Sequence, residues 1–417
     1  MREIRFASYF HAIMAFVIYF QIAFPKLIPI AILLILALVI TGYSKKKLAF
    51  KWKLPLILLI CFYLAYLIGV FFTNNPDQAK LYLENKLSFL IFPLLFMFET
   101  KFKFELKWIV FGAILGVLQV GILGLFHSLG CNTADYGSLG CFTSSNFSYI
   151  HHPSYFAVYI LITTFSSWYG FFMNWKFFKL IWIIPLTFVF LVFYLQCLSL
   201  AGMLFLVLLL FFLFAKYIQH KFGKIAFLSS LILTPVLIFV LFSNIPKFKV
   251  EFNDSISSAT KFMASPKKFM KEFTQYHTGS EERMIMWTVT LAQIKEHPFG
   301  VGTGDVDFYL QKELKANYQE NLATKNYNPH NQFLQTTLEI GIVGLLVLLS
   351  FIFTSFKIAL KSRNLILLLL LATLVFNSLF ESMLQLQSGI VYYSLWIPML
   401  MLFSSTKYEE KNVNLHL

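Results

Sequence analysis

Few residues in this 417-residue chain combine a reactive side chain with a telling position. His330 lies in Asn328-Pro329-His330-Asn331-Gln332-Phe333-Leu334-Gln335, just before a long apolar run. An imidazole titrates near neutrality and is the usual general base there. The competing reading is an interfacial histidine bonded only to backbone. Asn331 stands where its side chain could cap the helix that follows. Arg283 offers a planar, permanently charged fork that matches phosphate oxygens. Its alternative is an ion pair with Glu281, Glu282 or another loop carboxylate. Glu339 and Glu381 fall within or at the end of apolar runs, where carboxylates are costly and often functional. Gly300-Val301-Gly302-Thr303-Gly304-Asp305 has the composition of a phosphate cradle. A dinucleotide fingerprint needs a preceding strand and a βαβ unit, so a tight turn is the better reading. His151 and His152 precede Pro153 and read as local structure, and His277 and His297 have no distinguishing context. Cys131 and Cys141 suit either a disulfide or two small buried thiols. No Cys/His spacing resembles a metal site.

The elements that must position these side chains are membrane helices. Hydrophobic residues make up 58% of the chain and charged ones only 13%, against about 25% charged in a soluble domain. That excludes a soluble enzyme and a disordered chain. The fold class is an all-α polytopic membrane protein. Twelve spans are read at roughly 8–24, 27–43, 54–73, 87–98, 108–127, 153–172, 179–198, 200–215, 225–243, 335–356, 364–380 and 388–404. The fourth and eighth are short. Arg2 and Arg5 precede the first run without a small-residue cleavage site after it, so an uncleaved first span is expected.

Charge orients the spans. With the N-terminus in the cytoplasm, the cytoplasmic segments hold 20 basic residues, including Arg2, Arg5 and Arg363, against 5 acidic ones. The external segments hold the other 14 basic and 15 acidic residues. The positive-inside rule is obeyed at every short loop, with both termini cytoplasmic. The net charge of +14 is then an orientation signal, and no nucleic-acid partner is needed to explain it. The expected organisation is spans 1–9 in residues 1–243, a large periplasmic loop in 244–334, and spans 10–12 with a cytoplasmic tail in 335–417. Within the loop, Glu281 to His297 has apolar residues at Met284, Trp287, Thr288, Leu291 and Ile294. That spacing predicts an amphipathic helix near the membrane surface, stopped by Pro298-Phe299-Gly300. Arg283 becomes the only external arginine. Glu339 and Glu381 open toward the same side as His330.

From Arg283 onward the sequence resembles the O-antigen ligase/polymerase family. The matching pieces are Arg283-Met284-Ile285-Met286-Trp287, His297-Pro298-Phe299-Gly300-Val301-Gly302-Thr303-Gly304, and Pro329-His330-Asn331-Gln332-Phe333-Leu334-Gln335 running into Glu339-Ile340-Gly341-Ile342-Val343-Gly344-Leu345. Glu381-Ser382-Met383-Leu384 with Gln387-Ser388-Gly389 resembles a stretch of some members. The resemblance implies a membrane glycosyltransferase of the bacterial inner membrane that uses no cofactor. Its donor is a polysaccharide on undecaprenyl diphosphate, and its acceptor is a lipid A–core sugar or another glycan. It implies His330 and Arg283 as the essential pair. The histidine would act on the acceptor hydroxyl, with inversion at the anomeric carbon, while the arginine meets charge on the departing diphosphate. Such a leaving group strictly requires neither ATP nor a metal. One departure stands out. Many members carry a second arginine in a Ser-Arg-small-Gly motif, and here Ser199-Leu200-Ala201-Gly202 has Leu200 in its place. External Lys80 and Lys86 could substitute as point charges. Asn331, Glu339 and Glu381 complete the candidate binding residues.

Within the family the alternatives are a polymerase and a protein O-oligosaccharyltransferase. Polymerases tend to have a second sizeable external loop, and the short, almost uncharged loop 128–152 favours a ligase. Outside the family the alternative is a secondary transporter, which would show repeated halves. None are seen.

Overall fold

Long apolar runs build helices close to the expected positions. The computed structural model describes residues 2–132, 137, 140–199, 201–214, 218, 221–223, 246–272, 279–325 and 327–413. The chain runs through α1 (Arg2–Ala23), α2 (Ile28–Ser44), β1 (Leu48–Phe50), α3 (Leu54–Gly69), α4 (Pro76–Lys86), α5 (Ser88–Phe96), β2 (Phe98–Thr100) and α6 (Leu106–Leu129). It continues with α7 (Ser144–Phe147), α8 (Pro153–Phe172), α9 (Leu180–Gln196) and α10 (Ala201–Phe214). The polar segment contains α11 (Pro246–Ala264), α12 (Pro266–Glu272), α13 (Gly279–Glu296), α14 (Val306–Ala316) and α15 (Glu320–Ala323). After it come α16 (Gln332–Lys361), α17 (Leu365–Ser378) and α18 (Gln387–Val413).

The protein is an all-α membrane protein. Among the described residues, six helices are long and apolar enough to cross a bilayer: α1, α2, α3, α6, α8 and α16. α9, α10 and α17 are apolar but shorter. The run expected at 87–98 forms α5, whose 9 residues rise about 14 Å against a hydrocarbon core of about 30 Å. The run at 388–404 lies inside α18. The run at 225–243 and Leu200 lie outside the described residues.

Packing follows small residues. α1 lies along α6, and a Cβ on Gly112 would come 2.1 Å from the Ala15 carbonyl oxygen. Gly112 and Gly116 are one turn apart, so the two backbones approach closely, as small residues allow between membrane helices. At one end of the bundle β1 and β2 pair antiparallel, Leu48 opposite Thr100. Glu99 on β2 receives Lys51 at 2.6 Å and Lys53 at 2.8 Å. This ladder joins the loop after α2 to the loop after α5.

The polar segment has its own apolar centre, built by Phe269, Met270, Ile285, Met286, Val289, Val301, Leu310 and Leu314. The expected helix over 281–297 forms as α13, and the face it buries in the protein lies beside the apolar stripe read for the membrane surface. Ile285, Met286, Val289, Thr290 and Gln293 are buried, whereas Leu291 is 47% exposed. α11, α14 and α16 pack on α13 and choose which of two adjacent apolar stripes turns inward.

Candidate active site

The site rests on a broken helix. Inside α16, Ile340 (φ −128°, ψ 18°) and Gly341 (φ 74°, ψ −177°) leave the helical conformation. A break frees backbone polar groups that must find partners, and segment 298–302 supplies them. Val301 N donates to Leu338 O at 2.8 Å, Gly302 N to Glu339 O at 3.2 Å, and Ile342 N to Pro298 O at 3.0 Å. Thr303 N reaches Gly69 O at 3.3 Å, and its hydroxyl donates to Tyr66 O at 2.7 Å. Asp305 accepts from Thr73, Asn74 and Asn75. The glycine-rich stretch is therefore a turn that pins the kink, and two of its amides are spent on the α16 carbonyls. A Cβ on Gly341 would lie 2.4 Å from the Phe299 carbonyl carbon, so only glycine fits.

The first turn of α16 sets His330. Asn331 caps the helix as its position predicts: its Oδ1 accepts from Phe333 N and Leu334 N at 3.0 Å each. Its Nδ2 donates to Leu379 O at 3.2 Å. One residue earlier, His330 takes φ 47°, and its amide donates to Asn328 Oδ1 at 2.8 Å in a turn around Pro329. The imidazole is thereby aimed at the segment between α17 and α18. Its Nδ1 lies 3.3 and 3.4 Å from the two Glu381 oxygens. Glu381 is buried and also accepts from Ser382 N at 3.0 Å. Burial pushes this carboxyl up, but the hydrogen bond and charge of His330, the charge of His152 and the Ser382 amide outweigh it, and the net shift is downward.

Arg283 arrives from α13 at the same place. Its Nε donates to Phe380 O at 3.2 Å and its Nη1 to Gly279 O at 3.1 Å. The carboxylates beside it are engaged elsewhere: Glu281 accepts from Ser258 at 2.8 Å, and Glu282 pairs with Lys325 at 3.0 Å. Among the described residues Nη2 of Arg283 has no hydrogen bond, and its side chain is half-buried. The structure thus gathers three sequence candidates, His330, Glu381 and Arg283, from three separate elements.

The other candidates lie apart from that mouth. Glu339 is fully buried at the kink, where its Oε2 accepts from Gln335 at 3.1 Å and Gln385 at 3.2 Å. Lys86 is fully buried as well, 3.7 Å from Glu339 and donating to Gln385 Oε1 at 2.8 Å. Lys80 is exposed on α4. Cys131 and Cys141 form a disulfide with Cα atoms 5.6 Å apart. It closes the loop between α6 and α8.

Comparison with known proteins bears on the segment that carries the arginine and the histidine. Residues 185–349 match the sequence model of the family described as O-antigen ligase. That stretch is similar to the O-antigen ligase family. Two relatives are similar over part of their length. A protein of Haemophilus influenzae described as "Uncharacterized protein" is 28% identical over 122 residues, 28% of this chain and 29% of its own. A Rickettsia bellii protein described as "Putative polysaccharide ligase" is 23% identical over 146 residues, 34% of this chain and 35% of its own. The matched stretches span about a third of each relative's length.

The matched stretch supplies Arg283 and His330, but Glu381 comes from beyond it. His152, at the start of α8, is one residue that sequence reasoning passed over. Its ring lies 5.8 Å from that of Tyr155, whose hydroxyl donates to Ser382 O at 3.0 Å, next to Glu381. Burial lowers its pKa, Glu381 opposes that, and His330 and Arg283 add to it. The only signal in the sequence was the His-His-Pro run, which does not say that α8 packs beneath the 379–388 segment. His151 is structural. Its Nε2 meets Ile22 O at 2.7 Å and its Nδ1 meets Ser388 Oγ at 2.9 Å.

Proposed function

We propose that this chain is an O-antigen ligase-like glycosyltransferase. It moves a polysaccharide from undecaprenyl diphosphate to a hydroxyl of a lipid A–core sugar at the periplasmic face of the inner membrane. The observation that carries this reading is the convergence of His330, Glu381 and Arg283 at one mouth. Glu381 on Nδ1 orients the imidazole and leaves Nε2 to take the acceptor's proton, the geometry that a positioned general base requires. The acceptor oxygen bonds to the anomeric carbon as the bond from that carbon to the diphosphate oxygen breaks. The electron pair leaves with the diphosphate, and the carbon inverts. Arg283 Nη2 is available to the growing negative charge. Asn331, beside His330, lines the approach. No cofactor is needed to balance the step.

The proposed orientation rests on charge, with both termini inside and α5 counted as a short crossing among twelve. The β1–β2 ladder supports it, because both loops that it joins belong to the basic side. The short loop 128–152 favours ligase over polymerase.

The test is complementation of a deletion strain by His330→Ala or Arg283→Ala. Both variants should insert stably, leave lipid A–core without long chains, and let lipid-linked chains accumulate. Wild-type surface polysaccharide from either would sink the assignment. Single repeat units left on the core in the deletion strain would mean polymerase.

A further inference from the structure

Below the mouth lies a buried polar triangle that the transfer step itself does not use. Lys86 at the end of α4 and Glu339 at the α16 kink are each 0% exposed, and their charged atoms are 3.7 Å apart. Between them sits the Gln385 amide. Its oxygen accepts from Lys86 at 2.8 Å, and its nitrogen donates to Glu339 at 3.2 Å. The Lys86 ammonium also lies over the Tyr66 and Tyr82 rings, 4.5 and 5.1 Å from their centroids. Burying two opposite charges is a poor way to gain cohesion, since apolar side chains of similar volume do as well or better. Opposite charges on the two ends of one amide, however, allow that amide a single orientation.

Gln385 belongs to the non-helical segment that carries Glu381. The segment has other ties, from Gln332 Oε1 to Leu384 N at 2.6 Å and from Tyr155 to Ser382. Among the described residues, the hydrogen bond from Lys86 to Gln385 is the one that ties it to α4. The contacts of Glu381 with His330 are long, so a displacement of a few tenths of an ångström would open them.

We propose that Lys86 is a positioning residue: with Glu339 it clamps Gln385 and so holds the Glu381 segment against His330. The proposal rests on the reading of His330 and Glu381 given above.

The test uses the full chain in detergent with Leu386→Cys as reporter. Leu386 is 49% exposed and adjoins Gln385. Lys86→Met should let a maleimide react with this cysteine roughly tenfold faster, as local opening exposes the segment. Lys86→Arg should leave the rate as in the parent. Where Lys86→Met fails to accumulate, Lys86→Met with Glu339→Gln removes the orphaned carboxylate and should label equally fast. The pH profile of transfer by the lysine variant should be displaced in the same direction as that of Glu381→Gln, which a merely structural loss would not do. Parental labelling rates in both methionine variants would overturn the proposal, and so would a wild-type pH profile. Labelling does not depend on transfer, so it separates failure of this clamp from failure of the glycosyltransferase reading.

Discussion

Glu381→Gln is the most informative single change. Glutamine keeps the shape, and its amide oxygen still accepts from Ser382 N, but the charge facing His330 is gone. A hydrogen bond to a charged group is worth about 1.5–3 kcal/mol. The observed distances of 3.3 and 3.4 Å exceed the usual charge-assisted range of about 2.7–2.9 Å, so the lower part of that range applies. About 1.5–2 kcal/mol corresponds to a 10- to 30-fold loss in kcat/KM. The depressed carboxyl stays ionised through neutrality. Its contribution to stability is present above the ordinary carboxylate value and is lost only as pH falls through the lower folded value, below about pH 4. Near neutral pH the loss of rate should therefore appear at unchanged protein abundance. The assay is transfer from a lipid-linked donor to purified lipid A–core by detergent-solubilised protein. A variant within twofold of wild type, at equal abundance, would show that His330 does not depend on Glu381.

Three further outcomes follow from the geometry. Arg283→Lys keeps a charge but loses the fork and the Phe380 contact, so kcat/KM should fall by about 2 kcal/mol, roughly 30-fold; full activity would mean that a point charge suffices. Gly341→Ala places a Cβ against Phe299 at a backbone conformation reserved for glycine and should cost at least about 1–3 kcal/mol. An unchanged melting temperature would show that segment 298–302 yields. Burial brings the His151 imidazole down to about 4, so the native state resists the proton that the unfolded chain accepts below about pH 6.5. Stability from this group is complete above that pH and declines toward pH 4. From pH 7 to pH 5 the wild type should lose about 2 kcal/mol more than His151→Gln, read from thermal unfolding in detergent; parallel curves would contradict this.

The parts of this protein that sequence made legible are local. An apolar run between polar ends becomes a helix whatever it packs against, which is why the run at 153–172 coincides with α8. The Asn331 cap needs only the next three residues, and the glycine-rich stretch was readable as a turn because no strand precedes it. The resemblance around Arg283 and His330 pointed to a chemistry, though not to how the two residues meet. The inward face of α13 was not legible in the sequence, because it lies beside the apolar stripe read for the membrane surface and three neighbouring helices bury it. Lys86 looked like an external cation because hydropathy does not reveal that Glu339 and Gln385, hundreds of residues later, close over it.

Sequence alone therefore pointed to the membrane as solvent and to most of the apolar helices, since each depends on composition and neighbours along the chain. Tertiary structure decided the site. Glu381 reaches His330 because the 379–388 segment is tied to α8 through Tyr155 and to α16 through Gln332, and the orientation of an imidazole is set by whatever lies against its second nitrogen.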